Sequence, residues 1–424
     1  MPRHMGPAAR PVEPSGLQLE GGRVLKSVPM EPAPRTVVLA DLHLVRQAAP
    51  APAGVMAADL AALVSAHPGA RLVFLGDLFD VPASTPRLAP RQAVTEALGA
   101  HPAARAALGR HLDGGGQLWL LGGNHDAEVG TAGFAGHLVA SLGASPGAVA
   151  RVRTSPWFFR EGALHLEHGH FYDPDNAPAH PLVNGASSLG VHFVEEFIAP
   201  AGAHHYQQVN DSPPLRLFLA SFTTYGARAP HVIYRYFYAA LTALLKSGPF
   251  YRAGAEIPVG RALEAVFAHE HGVGRELVET LLAHGATPTL ASLADTFARI
   301  YFDRVVATLT IAGGLGAAAA GSPVAGGATA TLGALLMIAS WARGHDRYGG
   351  TVPERLAASA ERIAEATAAR LVVFGHTHRE ADGGVYANTG SFAFPRGAPG
   401  RPFLEIEGTA TEPRAVRRYW TAAG

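Results

Sequence analysis

The sequence predicts an α/β fold with a large, mainly helical insertion, and three observations carry that reading. Short apolar runs recur that each end in a polar cluster. Ala-rich stretches with helical spacing separate the early runs. The texture then changes between about residues 171 and 350, where aromatic and apolar residues recur at helical spacing without such clusters.

Taken in order, residues 1–31 are rich in Pro, Gly and Arg and contain no apolar run of the kind a secretory signal needs, so they read as a disordered tail. The first part of the core is expected over 32–175. Thr36–Ala40 leads into Asp41-Leu-His43, and Arg71–Leu75 into Gly76-Asp-Leu-Phe-Asp80. Gln117–Leu121 leads into Gly122-Gly-Asn-His-Asp126, and Ala163-Leu-His-Leu into Glu167-His-Gly-His170. Apolar runs without alternation suit strands buried on both faces, and Met56–His67 and Arg91–Leu112 read as the intervening helices. By spacing alone this is a single open sheet with every polar cluster at the carboxyl end of a strand, where such sheets bind ligands.

The insertion is expected over 176–350, with helical spacing in Val191–Ile198, Leu215–Phe222, Val232–Leu245 and Ala262–Leu282. Val305 to Ala342 contains no charged residue, is flanked by Arg304 and Arg343, and is divided at Pro323. Its two segments would reach about 26 Å and about 28 Å as helices, against about 30 Å of bilayer hydrocarbon. An apolar hairpin over 305–342 that enters a membrane from the cytoplasmic side fits this pattern, as does a hairpin buried in a soluble cap or a dimer contact. The core resumes over 351–424, where Arg370–Phe374 leads into Gly375-His-Thr-His378.

Composition narrows the function. Lys plus Arg and Asp plus Glu number 34 each in 424 residues, which argues against nucleic-acid binding by global basicity. Charged residues make up only 16%, against about 25% in ordinary soluble domains, so some surface is expected not to face water. The chain has no cysteine, which excludes disulfides, Cys-zinc sites and thiol nucleophiles.

Metal chemistry survives that exclusion. Asp41, His43, Asp77, Asn124, His168, His376 and His378 place two carboxylates, four imidazoles and one amide oxygen at strand ends. In Asp-x-His and His-x-His, alternate residues of an extended segment can face one side. The mixture of imidazole and carboxylate suits Mn, Fe or Zn better than Mg or Ca. Seven ligands exceed what one open catalytic metal needs, so two divalent ions are implied. Two dications about 3.5 Å apart repel by about 19 kcal/mol at an effective dielectric of 20, so a carboxylate or a hydroxide must lie between them. A centre of this kind attracts anions, and phosphate esters are the expected substrate class.

Asp41-Leu-His43, Gly76-Asp77-x-x-Asp80, Gly123-Asn124-His125-Asp126, His168 and Gly375-His376-x-His378 resemble the five ordered motifs of the calcineurin-like metallophosphoesterases. The resemblance covers roughly 36–170 and 370–424. It implies a β-sandwich of two mixed sheets flanked by helices in four α/β/β/α layers. It assigns Asp41, His43 and His378 to one metal and Asn124, His168 and His376 to the other, with Asp77 bridging. It makes His125 the residue that donates a proton to the leaving oxygen or stabilises the phosphoryl charge, with Asp126 or Asp80 orienting its ring. His170 is open between a further site residue, a substrate contact and a bystander.

Within the family, the Asp-Leu-His-Leu and Gly-Asp-Leu-Phe-Asp wording, with Asn388-Thr-Gly-Ser391, is similar to the UDP-2,3-diacylglucosamine hydrolases, membrane-surface enzymes with a helical lid between the fourth and fifth motifs. The chain departs from them at His125 and His170, where they carry Arg and Asp, and in its far longer insertion. The expectation is therefore a phosphoesterase of cytoplasmic location acting on a small phosphate-containing molecule or a lipid, with membrane contact through 305–342. Soluble nucleotide or phosphoprotein substrates, and a non-catalytic metal-binding scaffold, are the alternatives. The aromatic stretch Tyr234, Tyr236, Phe237 and Tyr238 would line an acyl groove, pack between helices or form an interface belt.

Overall fold

In a computed structural model of the chain, the described residues are 35–46, 52–183, 188–203, 214–251, 253–344, 351–397 and 399–421. The expected N-terminal tail lies outside them. Residues 35–424 form one compact unit.

The apolar runs are strands, as their composition demands: β1 (Thr36–Leu39), β2 (Arg71–Phe74), β3 (Gln117–Leu121), β6 (Leu164–Glu167) and β7 (Leu371–Phe374). Six more strands accompany them: β4 (Val152–Ser155), β5 (Phe158–Glu161), β8 (Glu380–Gly383), β9 (Tyr386–Thr389), β10 (Arg401–Gly408) and β11 (Pro413–Trp420). They do not make the single open sheet that spacing alone suggests. One mixed sheet has the order β11-β10-β1-β2-β3-β4 and a second has β5-β6-β7-β9-β8. The runs read alike in sequence because each strand is covered on both faces. Val37, Leu39, Leu72, Phe74, Leu118 and Leu120 pack against helices, whereas Val38, Val73 and Trp119 join Phe159, Leu166 and Val373 of the second sheet in a shared core. The far face of the second sheet, with Phe158, Val372 and Phe374, packs on Leu356, Ala360 and Ile363. The layers are thus helix, sheet, sheet, helix.

Register brings the strand ends level. Thr36 pairs with Arg71, and Arg71 with Gln117, so parallel β1, β2 and β3 finish side by side. In the second sheet Leu166 of β6 pairs with Val373 of β7.

Helix α1 (Pro52–Ala66) follows β1. The expected Arg91–Leu112 stretch is two helices, α2 (Pro90–Ala100) and α3 (Pro102–Asp113), because Pro102 cannot continue the first. Helix α4 (Phe134–Leu142) completes the first layer.

The insertion is helical among its described residues. A helix α5 runs through Leu189–Phe193, a π-turn Val194–Ile198 and Ala199–Ala201. It is followed by α6 (Pro214–Tyr225), α7 (Ala229–Leu245), α8 (Ala253–Glu270), α9 (Arg275–Leu282) and α10 (Leu293–Arg299). Phe193, Phe197, Val232, Ala239, Leu290 and Ile300 form its core. The uncharged run is a hairpin of α11 (Phe302–Ala319) and α12 (Pro323–Ala342), with Pro323 in the first turn of α12, where its missing N–H costs nothing. Helix α13 (Val352–Thr367) returns the chain to β7. Of the aromatic stretch in α7, Tyr236 packs on Phe193 and Phe197, whereas Tyr234, Phe237 and Tyr238 are exposed.

Candidate metal centre

Loops after β1, β2, β3, β6 and β7 carry the candidate ligands, and the backbone there is unusual. Among the described non-glycine residues with left-handed φ are Asp41 (56°), His43 (49°), Asp77 (52°), His376 (69°) and His378 (55°). L-residues avoid that region, so five such residues in one place mark a site held by its surroundings. The loops brace one another: the Asp77 carbonyl accepts the amides of Leu42 and His43, both at 2.9 Å. The Asn388 side chain donates to the Gly375 carbonyl at 2.7 Å, and Ser391 Oγ donates to the Asp41 carbonyl at 2.8 Å. These contacts account for the Asn-Thr-Gly-Ser segment as a support for the β1 and β7 loops.

Glycine is required where the loops touch. A Cβ on Gly123 would lie 2.1 Å from Asp77 Oδ1, and one on Gly76 would lie 2.6 Å from the His168 ring.

Six of the seven predicted ligands present their donor atoms to one another. His43 Nε2 and His378 Nε2 are 3.2 Å apart, and His378 Nε2 is 3.4 Å from Asp41 Oδ1. His168 Nε2 lies 3.3 Å from Asp77 Oδ2 and 3.2 Å from Asn124 Oδ1. Asp77 Oδ2 is also 4.0 Å from His43 Nε2, which places it between the two groups. Donors each about 2.1 Å from one cation stand about 3.0–3.4 Å apart in octahedral or tetrahedral geometry, so these spacings fit shared cations. One buried atom agrees with that fit: Asp41 Oδ1 makes no hydrogen bond and lies 3.4 Å from His378 Nε2, as a cation-binding oxygen beside its fellow ligand would. The His168 tautomer is set, because Nδ1–H donates to the Leu75 carbonyl at 2.6 Å and leaves Nε2 facing the cluster.

His376 is the seventh, and its Nε2 turns away from the cluster to donate to Asp173 Oδ2 at 2.9 Å. That hydrogen leaves Nδ1 as the nitrogen with a free lone pair, on a ring 5.1 Å from the His168 ring. Asp173 also accepts from Asn176 Nδ2 at 2.7 Å, and Asn176 Oδ1 accepts from Asn124 Nδ2 at 3.1 Å. Asp173 and Asn176 therefore orient two predicted ligands from one loop, and sequence reasoning missed both. The only signal was their position just past the fourth cluster.

The two carboxylates proposed to orient His125 have different places. Asp80 Oδ1 accepts from His125 Nδ1 at 2.8 Å. Asp126 does not hold the ring: its carboxylate accepts the backbone amides of Asp77 (3.0 Å), Gly123 (2.8 Å) and Phe79 (3.1 Å). As the residue after His125 it points back into the loop and fastens the second motif to the third. The expectation that Asp126 orients His125 is corrected accordingly. His170 is buried beside His168 and His376, with Nδ1 unbonded, and burial together with those two rings holds it well below the usual imidazole range.

The protein's own charges sort the titrating groups. Burial, with His125 alongside, pushes His43 down to about 4. Burial also opposes charge on His125 and His168, but Asp77 and Asp80 push His125 up to about 10, and Asp77 and Asp41 push His168 up to about 9. Asp77 is held well below the carboxylate range, because His168 and His125 outweigh its burial. Burial and the charge of Asp77 push Asp126 up to about 7 in spite of its amide donors.

Comparison with known protein families, with curated proteins and with solved structures finds no match to the chain.

Proposed function

We propose that the chain is a phosphoesterase of the calcineurin-like metallophosphoesterase type, dependent on two divalent cations (Mn, Fe or Zn). One observation carries this reading: donors from five separate loops converge at 3.2–3.4 Å around buried Asp41 and Asp77, with Asp41 Oδ1 lacking any other partner. The helix–sheet–sheet–helix layering supports the same fold assignment.

Asp41, His43 and His378 would hold one cation, and Asn124, His168 and His376, through Nδ1, the other, with Asp77 shared. When bound, such a pair supplies Lewis acidity, draws in a phosphoryl group and lowers the pKa of water for in-line attack. The remaining work falls to the chain's own groups. Asp80 accepts the Nδ1 hydrogen of His125, and in the cation-free chain Asp77 and Asp80 push that imidazole up to about 10. In its protonated form the Nε2–H would serve the leaving oxygen or a phosphoryl oxygen, which suits general acid catalysis on an ester with a poor leaving group. Asp80 fixes the ring orientation. Asp173 and Asn176 fix His376 and Asn124.

An amphiphilic phosphate ester is favoured over a soluble nucleotide or phosphoprotein. Phe250, Leu245, Leu241 and Tyr234 of the insertion are exposed, apolar area of the kind an acyl tail would cover.

Hydrolysis of p-nitrophenyl phosphate and its bis-ester with added Mn²⁺ tests the reading. Turnover that chelator and Asp77→Ala both abolish is expected. A chain that binds two Mn²⁺ and turns over neither ester is a metal-binding scaffold, and the proposal fails. A parallel screen of nucleoside-diphosphate lipids against soluble nucleotides decides the substrate class.

A further inference from the structure

The hairpin of α11 and α12 is packed inside out for a protein in water. Its buried positions are Ala307 and Gly314 on α11 and Gly326, Gly333 and Ser340 on α12, each set spaced by seven residues. The backbones meet there: a Cβ on Gly314 would lie 2.4 Å from the Ala330 nitrogen, and one on Gly326 2.4 Å from the Ala318 nitrogen. The large apolar side chains point outward instead, with Val324 86% and Leu309 66% exposed, alongside Leu315, Leu332, Leu335 and Ile338. The hydrophobic effect drives the opposite arrangement in water, where large side chains fill the seam. Small residues inside and large ones outside is the pattern of helices packed in lipid, where tails solvate leucine and close backbone approach holds the pair.

Three further features select a bilayer over a second protein. At 3.6 residues per turn, Val324, Leu332, Leu335, Leu336, Ile338 and Trp341 lie all round α12 except on its seam with α11, whereas a protein partner in water covers one stripe. The helices have 18 and 20 residues, about 27 Å and about 30 Å, which matches the hydrocarbon thickness of about 30 Å. The helix ends at the Ala320–Ser322 turn leave backbone groups that need water, so a tip stopping within the hydrocarbon is costly and one reaching the far headgroups is not.

The polar end is single-sided. Arg304 closes the base of the hairpin through Ser340 Oγ (3.2 Å) and the Gly344 carbonyl (2.8 Å), and Arg343 and Trp341 stand at the same end. Between Arg304 and Arg343 the sequence carries no charge. Basic residues at a hairpin base and none at its tip orient the base to the cytoplasm.

We infer that α11 and α12 cross a lipid bilayer as a helical hairpin, anchoring the remainder of the chain at the cytoplasmic membrane surface. This inference rests on the hairpin alone and stands or falls separately from the metal centre.

The test uses the full chain expressed in cells. It should stay with the membrane through a carbonate wash and float with phosphatidylethanolamine–phosphatidylglycerol vesicles after detergent removal. Leu309→Lys with Leu332→Lys places two charges at mid-hairpin positions that already face outward. Each should lower bilayer partition on the order of a hundredfold. Far-ultraviolet circular dichroism and the thermal midpoint in detergent should match the parent, which shows the variant is folded. Because the chain has no cysteine, Ser322→Cys and Thr411→Cys report topology with an impermeant maleimide. Labelling of the tip in intact spheroplasts, with Thr411→Cys labelled only after permeabilisation, is the expected result. A parent that is soluble as a monomer, a soluble oligomer with the hairpin covered by a second copy, or a tip unlabelled from outside would each overturn the inference.

Discussion

Asp173 accepts the Nε2 hydrogen of His376 at 2.9 Å, although the two residues are 203 positions apart in the chain. The contact joins the loop that enters the helical insertion to the loop that follows its return. It decides which nitrogen of His376 keeps a free lone pair. The same loop reaches the insertion through Asp175, whose carboxylate accepts from Thr289 Oγ1 and Arg299 Nε, both at 2.7 Å. Asp173→Ala should therefore weaken the binding of one of the two cations by about 10- to 100-fold and spare the other. Calorimetric titration with Mn²⁺ resolves the two steps; unchanged affinities would remove Asp173 from the account.

Asp80 and Asp126 are both buried acids of the recognisable motifs, yet they predict different losses. Asp80→Asn and His125→Ala should lower turnover of esters with poor leaving groups by about 10²- to 10⁴-fold while leaving metal content intact. Asp126→Ala strips partners from three backbone amides, each worth about 1–3 kcal/mol when left buried and unsatisfied. It should lower the thermal midpoint markedly. A stable Asp126→Ala protein with lost turnover would mean its part is chemical.

The glycines give a steric prediction. Gly123→Ala puts a methyl group 2.1 Å from Asp77 Oδ1, so either the third loop moves or Asp77 leaves its place between the donor groups. Metal stoichiometry should fall together with activity. Gly136→Ala, which meets nothing within 4 Å, is the matched control and should be neutral.

The pH dependence follows from His168. Its pKa of about 9 lies above the ordinary 6.5, so its ion pair with Asp77 stabilises the cation-free chain fully below pH 6.5 and fades as pH rises through about 9. At pH 7 a cation must displace that proton. Mn²⁺ binding should release protons into weakly buffered solution, and affinity should climb from pH 7 to about 9 and then level. Affinity that falls over this range would contradict the assigned role of His168.

Much of this was legible because β1, β2, β3, β6 and β7 are short apolar runs that end in polar residues, and a strand end fixes where those residues sit. Pro323 likewise announced the break in the hairpin. The division into two sheets was legible only through the resemblance of the five motifs, not through spacing. Val73 and Val373 occupy equivalent apolar runs, and it is their meeting in one core, with Trp119 packed against Phe159, that shows they belong to facing layers. Strands β10 and β11 escaped because charged residues interrupt their apolar pattern, Glu405 in β10 and Arg417 and Arg418 in β11, where Arg417 pairs with Asp382 and Arg418 with Glu405. Asp173 and Asn176 escaped for a different reason. They lie in a loop with no periodicity, and their importance comes from contacts with His376 and Asn124 that local sequence does not encode. The inward set of small residues in the hairpin was visible as composition, but its direction was visible only in the packing.

Donors from five loops are expected to hold two cations, and elemental analysis of the purified chain after Mn²⁺ loading and desalting counts them. Two ions per chain are predicted, falling to one or none in Asp77→Ala, whose carboxylate the two groups share. A parent chain that retains no ion, or a variant that retains both, would contradict it.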